Sequence, residues 1–371
     1  MANSKHSTTK RHGQVDTAPQ SASDLVRPRQ RLLTGLRPTG KYHLGNYVGT
    51  FEKDLELQNS GEYECFFLVA DFHALTTGYQ TSRQMADDIR EGLLDFLAVG
   101  IDPNRSTLYL QSLIPEVSEL FLLFSMLVSV PRAQRIPTLK EQVRDLKLES
   151  ASLGLLNYPV LQAADILMVR GEVVPVGRDQ LSHIELTREI ARRFNQLYET
   201  AVFPEPEGLV GRFPKLPGTD GKPKMGKSLG NAIYLSDDAE TVRKKVMSMY
   251  TDPTRLRATD PGHVRGNPVF TYHDAFNDNV EEVKDLKARY VKGKVGDVEV
   301  KRKLIAALNR FLDPIRERRA QYERQPKLVE DILADGSRRA RTEARETLRL
   351  AKDAMGLNYY ASARERVEAL V

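Results

Sequence analysis

Apolar residues recur along this chain in short blocks separated by polar turns, and the spacing within each block predicts its element. Leu32, Leu33 and Leu36 supply a first strand, which the Gly35/Pro38/Gly40 run stops, and Tyr42-His43-Leu44-Gly45-Asn46 then opens a helical pattern. Phe66 to Val69 forms a second strand ending in Ala70-Asp71-Phe72-His73. Ser82 is placed to cap a helix whose apolar positions Met85, Ile89, Leu93, Phe96 and Leu97 run to Gly100. Thr107 to Leu110 reads as a third strand, Val117 to Val130 as a strongly apolar helix, and a polar stretch extends to about Ser150. Leu155 to Val169 is apolar around one carboxylate, Asp165. A further strand, Val173 to Val176, ends in Gly177-Arg178-Asp179-Gln180, and Ile184, Leu186, Ile190 and Phe194 mark the next helix.

Strands alternating with helices predict an α/β fold with a doubly wound parallel sheet, in which ligands bind outside the carboxyl ends of the strands. Gly35 to Gly40, Asp71 to His73 and Gly177 to Gln180 lie at such ends. Gly208 to Asn231 is too rich in Gly, Pro and Lys for a strand or helix. From Asp238 onward the pattern is helical, with Leu304, Leu308, Phe311, Leu312 and Ile315 on one face and Val329, Ile332 and Leu333 beginning another. The expected organisation is a polar, disordered basic extension over residues 1–30, a nucleotide-binding domain over 31–235 and a basic-rich helical region over 236–371.

Composition narrows the function classes. The chain has 371 residues, enough for two cores, with 40% hydrophobic and 28% charged residues and a net charge of +5. One cysteine, Cys65, within an apolar run, excludes an internal disulfide and a cysteine-cluster metal site and fits a reducing cytoplasm. The longest apolar candidate, Leu120 to Val130, is too short to span a membrane.

The chemistry concentrates in two segments. Gly221 to Ser228 formally matches the phosphate-loop pattern, but Pro214, Leu216, Pro217 and Gly218 precede it where a buried strand is required, and Gly230 follows where a helix is required. A mobile basic flap fits better: Lys224 and Lys227, framed by glycines and followed by Ser228, fold over a triphosphate and stabilise charge developing on pyrophosphate. His43-Leu44-Gly45-Asn46 and Lys224-Met225-Gly226-Lys227-Ser228 resemble the two signature motifs of class I aminoacyl-tRNA synthetases, in the same order and around the same Rossmann-like sheet. Leu155 to Pro159, Ala163 to Leu167, Val174 to Gln180 and His183 to Thr187 are similar to the tryptophanyl branch of that class, over about residues 31–356.

The resemblance implies ATP and L-tryptophan as substrates, Mg²⁺, tRNA(Trp) and a homodimer joined through the Leu113 to Arg135 region. It assigns catalysis to His43, Lys224, Lys227 and Ser228, and ATP contacts to Arg37, Pro38, Thr39, Gly45, Asn46, Gly177, Arg178, Asp179, Phe213, Met225 and Gly226. Asp165 is expected to receive the indole N–H, Tyr158 and Gln180 the amino group, with Val174 and Val176 around the ring and Gln162 and His73 nearby. The alternative for Asp165 is a structural acceptor satisfied from within the protein. Two departures from the family pattern bear on specificity. Gln162 stands where methionine is common in tryptophan enzymes and resembles the tyrosine enzymes, whereas Leu33 replaces the tyrosine those enzymes use. Gly226 replaces the usual flap serine. The competing readings are a tyrosine-specific sister enzyme and a paralogue that binds tryptophan or tRNA without efficient aminoacylation.

Overall fold

The computed structural model describes residues 29–145, 149–210, 216–223, 225–255, 257 and 259–358, without the side chains of Asp145 and Ser228. The expected basic extension therefore lies almost wholly outside the described residues. Five strands form one parallel sheet in the order β3-β2-β1-β4-β5: β1 Gln30–Leu36, β2 Tyr63–Val69, β3 Ser106–Leu110, β4 Val173–Val176 and β5 Glu207–Val210. Helices cover both faces, so the central strands are apolar along their length rather than alternating. Leu32, Phe67 and Val69 feed one core; Leu33, Phe66 and Leu68 feed the other.

The helices that matter here are α1 Glu52–Ser60, α2 Asp71–Gly78, α3 Met85–Val99, α4 Glu116–Ser125, α5 Pro137–Asp145, α6 Leu153–Met168 and α7 Leu181–Leu197. After the sheet come α8 Ala239–Met247, α9 Pro268–Phe276, α10 Val280–Val291, α11 Asp297–Glu323 and α12 Pro326–Ala354. Residues of α3 and α8 to α11 share the Leu32 core, whereas α4, α6, α7 and most of the apolar face of α12 pack on the Leu33 side. Among the described residues no helix is long and apolar enough to cross a membrane.

Four sequence expectations are corrected. Ser82 lies in a 3₁₀ turn, Tyr79–Gln84, and α3 starts without a side-chain cap, its free N–H end faced by Asp87 and Asp88 instead. The Val117 to Val130 run does not stay helical: α4 stops at Ser125, and Pro131, which lacks an N–H, opens a separate short helix at Val130–Gln134. The polar stretch before Ser150 contains α5, anchored by buried Thr138 and Leu139. The segment after Gly208 is not wholly irregular, because Gly208 to Val210 belong to β5 and pair with β4 up to Val176.

One detail of the sheet positions the cavity. β1 runs beside β2 from Gln30↔Tyr63 to Leu36↔Val69, but it meets β4 at a single register position, Leu32↔Val173. Beyond it the two strands part, at the place where the strand order reverses. Such a switch point is where ligands bind in doubly wound sheets.

Candidate active site

A cavity of about 500 Å³ fills the gap, walled by Leu33, Thr34 and Gly35 of β1 and Val174, Pro175 and Val176 of β4. It has two sides. Tyr158, Gln162 and Asp165 of α6, His73 of α2 and His183 of α7 line the first; Gly45, Gly49, Thr50 and Asp54 line the second.

On the first side Asp165 is buried, and it already has partners. His73 Nε2 lies 2.7 Å from its Oδ2, and Gln111 Nε2 donates to both oxygens at 2.8 Å. Burial raises the Asp165 pKa, and the hydrogen bonds from His73 and Gln111 oppose that rise. The carboxylate is therefore both a satisfied internal acceptor and a wall of the cavity; with about four lone-pair sites it retains capacity for one further N–H. Gln111 directly follows β3, at a strand end like those of the other site segments, but nothing else in its sequence surroundings marks it.

Beside it runs a buried polar chain. Tyr158 Oη lies 2.5 Å from Thr138 Oγ1, Thr138 Oγ1 lies 2.7 Å from His183 Nε2, and His183 Nδ1 lies 2.7 Å from Gln162 Oε1. Burial, reinforced by His73, pushes the His183 pKa down to about 4, so the ring is neutral at pH 7. Gln162 thus serves a histidine. His183 opens a segment that carries the family resemblance but has no site role in the sequence, and Thr138 has no signal there at all, because a threonine in a polar helix breaks no pattern.

On the second side His43 caps the short helix Leu44–Asn46. Its Nδ1 accepts from Asn46 N at 3.2 Å, while Asn46 Oδ1 accepts from His43 N at 3.0 Å. Burial, with the nearby Lys227 charge, lowers the His43 pKa to about 4. The neutral ring, accepting at Nδ1, carries its hydrogen on Nε2 as a donor. Gly45 must be small: a Cβ there would lie 3.0 Å from His43 Nδ1 and 3.4 Å from Met225 Sδ. The turn and the flap are tied by Leu44 N donating to Ile233 O at 2.9 Å and Leu235 N donating to Tyr42 O at 3.0 Å. Lys227 Nζ donates to Thr39 O, and Gly226 N donates to Asn231 Oδ1 at 3.0 Å.

The described flap residues hold one 3₁₀ turn, Lys227–Leu229, closed by Gly230 at φ +64°. No helix opens there, which excludes the phosphate-loop reading.

Arg37, Gly45, His73, Tyr158, Gln162, Asp165, Val174, Val176, Gly177, Asp179 and Gln180 all line the one cavity. His43 and Met225 lie beside Gly45 without lining the cavity, Lys227 meets Thr39 next to Gly40, and Gly226 is held by Asn231; Pro38 is buried in the turn, Asn46 is engaged by the cap, and Arg178 is exposed. Phe213, Lys224 and the Ser228 side chain lie outside the described residues.

A family profile described as class I tRNA synthetases (W and Y) matches residues 27–313. A tryptophan–tRNA ligase of Treponema pallidum is 56% identical over 330 residues, 88% of this chain and 97% of the relative. The chain belongs to the tryptophanyl-tRNA synthetase family. A tryptophan–tRNA ligase of Borreliella burgdorferi is 52% identical over 333 residues, 89% of this chain and 94% of the relative. The crystal structure of a tryptophanyl-tRNA synthetase from Campylobacter jejuni, complexed with ADP and tryptophan, superposes with a TM-score of 0.79 at 34% identity, covering 88% of this chain and all of that one. Within this synthetase Gln162 presents its carbonyl oxygen to the His183 ring at 2.7 Å.

Proposed function

We propose that this chain joins L-tryptophan to tRNA(Trp) through a tryptophanyl-adenylate intermediate. The observation that carries the reading is the continuity of one cavity from the buried Asp165 to Gly45, beside the neutral His43 donor, in a chain of this family.

Tryptophan enters the Leu33 side, its indole between Val174 and Val176 with the ring N–H on Asp165 and its amino group on Tyr158 and Gln180. ATP enters along Gly45, Arg37 and the Gly177 to Asp179 segment. The amino-acid carboxylate attacks the α-phosphorus in line, the bond to the β-phosphate bridging oxygen breaks, and pyrophosphate leaves. A terminal ribose hydroxyl of the tRNA then attacks the acyl carbonyl and AMP departs. No covalent enzyme intermediate is needed, so catalysis rests on positioning and on charge stabilisation by His43 Nε2–H, Lys224, Lys227 and Ser228. Mg²⁺ is assigned to the triphosphate as it arrives, since the described residues contain no group of three or more His, Cys, Asp or Glu able to hold an ion.

The helical region from residue 236 is the proposed tRNA-reading part, with binding that weakens as salt rises. A homodimer through the Leu113 to Arg135 region is supported by the exposure of Leu113, Leu122, Met126 and Val130. The single buried cysteine suits a reducing cytoplasm.

The test is amino-acid-dependent ATP–pyrophosphate exchange, with tryptophan and tyrosine supplied separately. Exchange with tryptophan alone is expected, slowed by roughly 10²-fold or more in Lys227→Ala, the scale of losing one charge-stabilising group. Exchange with tyrosine, or an unaffected Lys227→Ala variant, contradicts the reading.

A further inference from the structure

We propose that Thr138 and His183 are positioning residues that fix the Tyr158 hydroxyl as a hydrogen-bond acceptor for the ammonium group of the substrate. The proposal rests on the reading above that Tyr158 meets the amino group, and it assigns the direction of every hydrogen in the buried chain behind that tyrosine.

The direction follows from the far end. Gln162 presents its carbonyl oxygen to His183 Nδ1 at 2.7 Å, and a carbonyl only accepts, so Nδ1 carries the ring hydrogen. The ring is neutral, because burial disfavours its charged form, and Nε2 is left as a bare acceptor. Two hydroxyls compete for it, Thr138 at 2.7 Å and Tyr158 at 3.2 Å. The shorter contact takes the lone pair. Thr138 then has no hydrogen left for Tyr158, 2.5 Å away, and must accept from it. The phenolic hydrogen therefore points back into the protein, and the remaining lone pair of Oη faces the cavity that Tyr158 lines.

Without this chain a phenol presents hydrogen or lone pair with equal ease, and half of its orientations would oppose a cation. Gln180 is oriented in the same sense: its Nε2 donates to Asp179 Oδ2 at 3.0 Å, leaving its Oε1 as the free acceptor. The two groups assigned to the amino group thus offer lone pairs, which match an ammonium. Thr138 and His183 are buried behind Tyr158, so no bulk water competes for the hydrogen bonds that set the direction of the phenolic hydrogen.

The chain itself contains no tryptophan, so binding can be read from the indole fluorescence of the ligand. The two ligands to compare are L-tryptophan and indole-3-propionate, which keeps ring and carboxylate but lacks the ammonium. His183→Leu removes the terminal acceptor, freeing Thr138 to donate to Tyr158 and turning the phenolic hydrogen toward the ligand. It should weaken tryptophan about tenfold or more, the scale of a hydrogen bond to a charged group, and leave indole-3-propionate within about twofold. His183→Gln, which restores a carbonyl acceptor near the Nε2 position, should recover tryptophan binding. Thr138→Val should have a smaller effect of the same sign, about threefold on tryptophan, because Tyr158 can still donate directly to His183 Nε2. This variant carries the test if His183→Leu does not fold. Equal weakening of both ligands in either variant, or tryptophan binding unchanged in both, overturns the proposal. Failure of the wild-type chain to bind tryptophan at all would instead strike the function reading on which it rests.

Discussion

Asp54 of α1 is only 1% exposed, and its Oδ2 has no hydrogen-bond partner among the described residues. Burial raises its pKa to about 8, with the Thr34 hydroxyl opposing the shift. The unfolded carboxyl titrates near 3.8, so between those two pH values the native state holds more protons than the unfolded one, and stability falls as pH rises. Asp54→Asn removes the titration. It should raise the denaturation midpoint at pH 8 by the equivalent of about 2 kcal/mol, the order of an uncompensated buried polar group, and by less at pH 5; an equal effect at both pH values would show that the carboxyl titrates alike in the native and unfolded chain, so that burial does not raise its pKa. Asp54 drew no attention in the sequence because it sits in a stretch already rich in charge, Glu52 to Glu56, whereas Asp165 stood out against six apolar neighbours. The difference is general: a pattern reveals a buried charge when its neighbours in sequence are apolar, and hides it when only its neighbours in space are.

Among the elements, α12 shows how a contact invisible in the sequence can fix a helix. Its Gly336 packs so closely on β3 that an added Cβ would lie 1.9 Å from the carbonyl oxygen of Leu108, and Ser337 Oγ accepts from Leu110 N at 3.3 Å. Alanine at a helix interior normally stabilises by about 1 kcal/mol relative to glycine. Here the obstruction is backbone, and Gly336→Ala should instead cost about 2 kcal/mol net, read as a lower urea midpoint. A neutral or stabilising result would mean that α12 can lift from the sheet without penalty. Four strands were legible because each carries a run of apolar residues that two covering layers demand. The fifth was not: Glu207-Gly208-Leu209-Val210 offers little side-chain signal and is recruited by backbone pairing to β4. Helix starts were the other weak point, since α3 relies on Asp87 and Asp88 in its first turn rather than on the capping hydroxyl that Ser82 suggested.

Across the whole molecule, the helical half reaches the signature turn through one buried arginine. Arg319 of α11 pairs with Asp95 and Glu91 of α3 and, at 2.9 Å, with Glu323; the other oxygen of Asp95 accepts from Tyr42 N at 2.7 Å, one residue before His43. Arg319→Ala strands the Asp95 carboxylate, and breaking a buried pair by removing one partner costs about 3 kcal/mol or more. The expected outcome is a destabilised enzyme whose surviving folded fraction exchanges pyrophosphate more slowly, with Arg319→Lys intermediate; a purely thermal defect with normal exchange would separate the pairing from the turn. Several arginines that make this half look basic are engaged internally, among them Arg316 with Asp313 and Arg341 with Glu116. Charge read from the sequence therefore overstates the positive surface left for a polyanion.

The parting of β1 from β4 above Leu32↔Val173 makes the cavity between them a seam rather than a hole. Two halves of the sheet, β3-β2-β1 and β4-β5, are stitched at one rung of the ladder, and an adenylate lying across the opening, with its indole against β4 and its phosphate beside the turn that follows β1, would act as the missing rungs. On that account substrate is also mortar. The enzyme would be stiffest with the intermediate in place, and each cycle would loosen the sheet at the moment acyl transfer splits the adenylate.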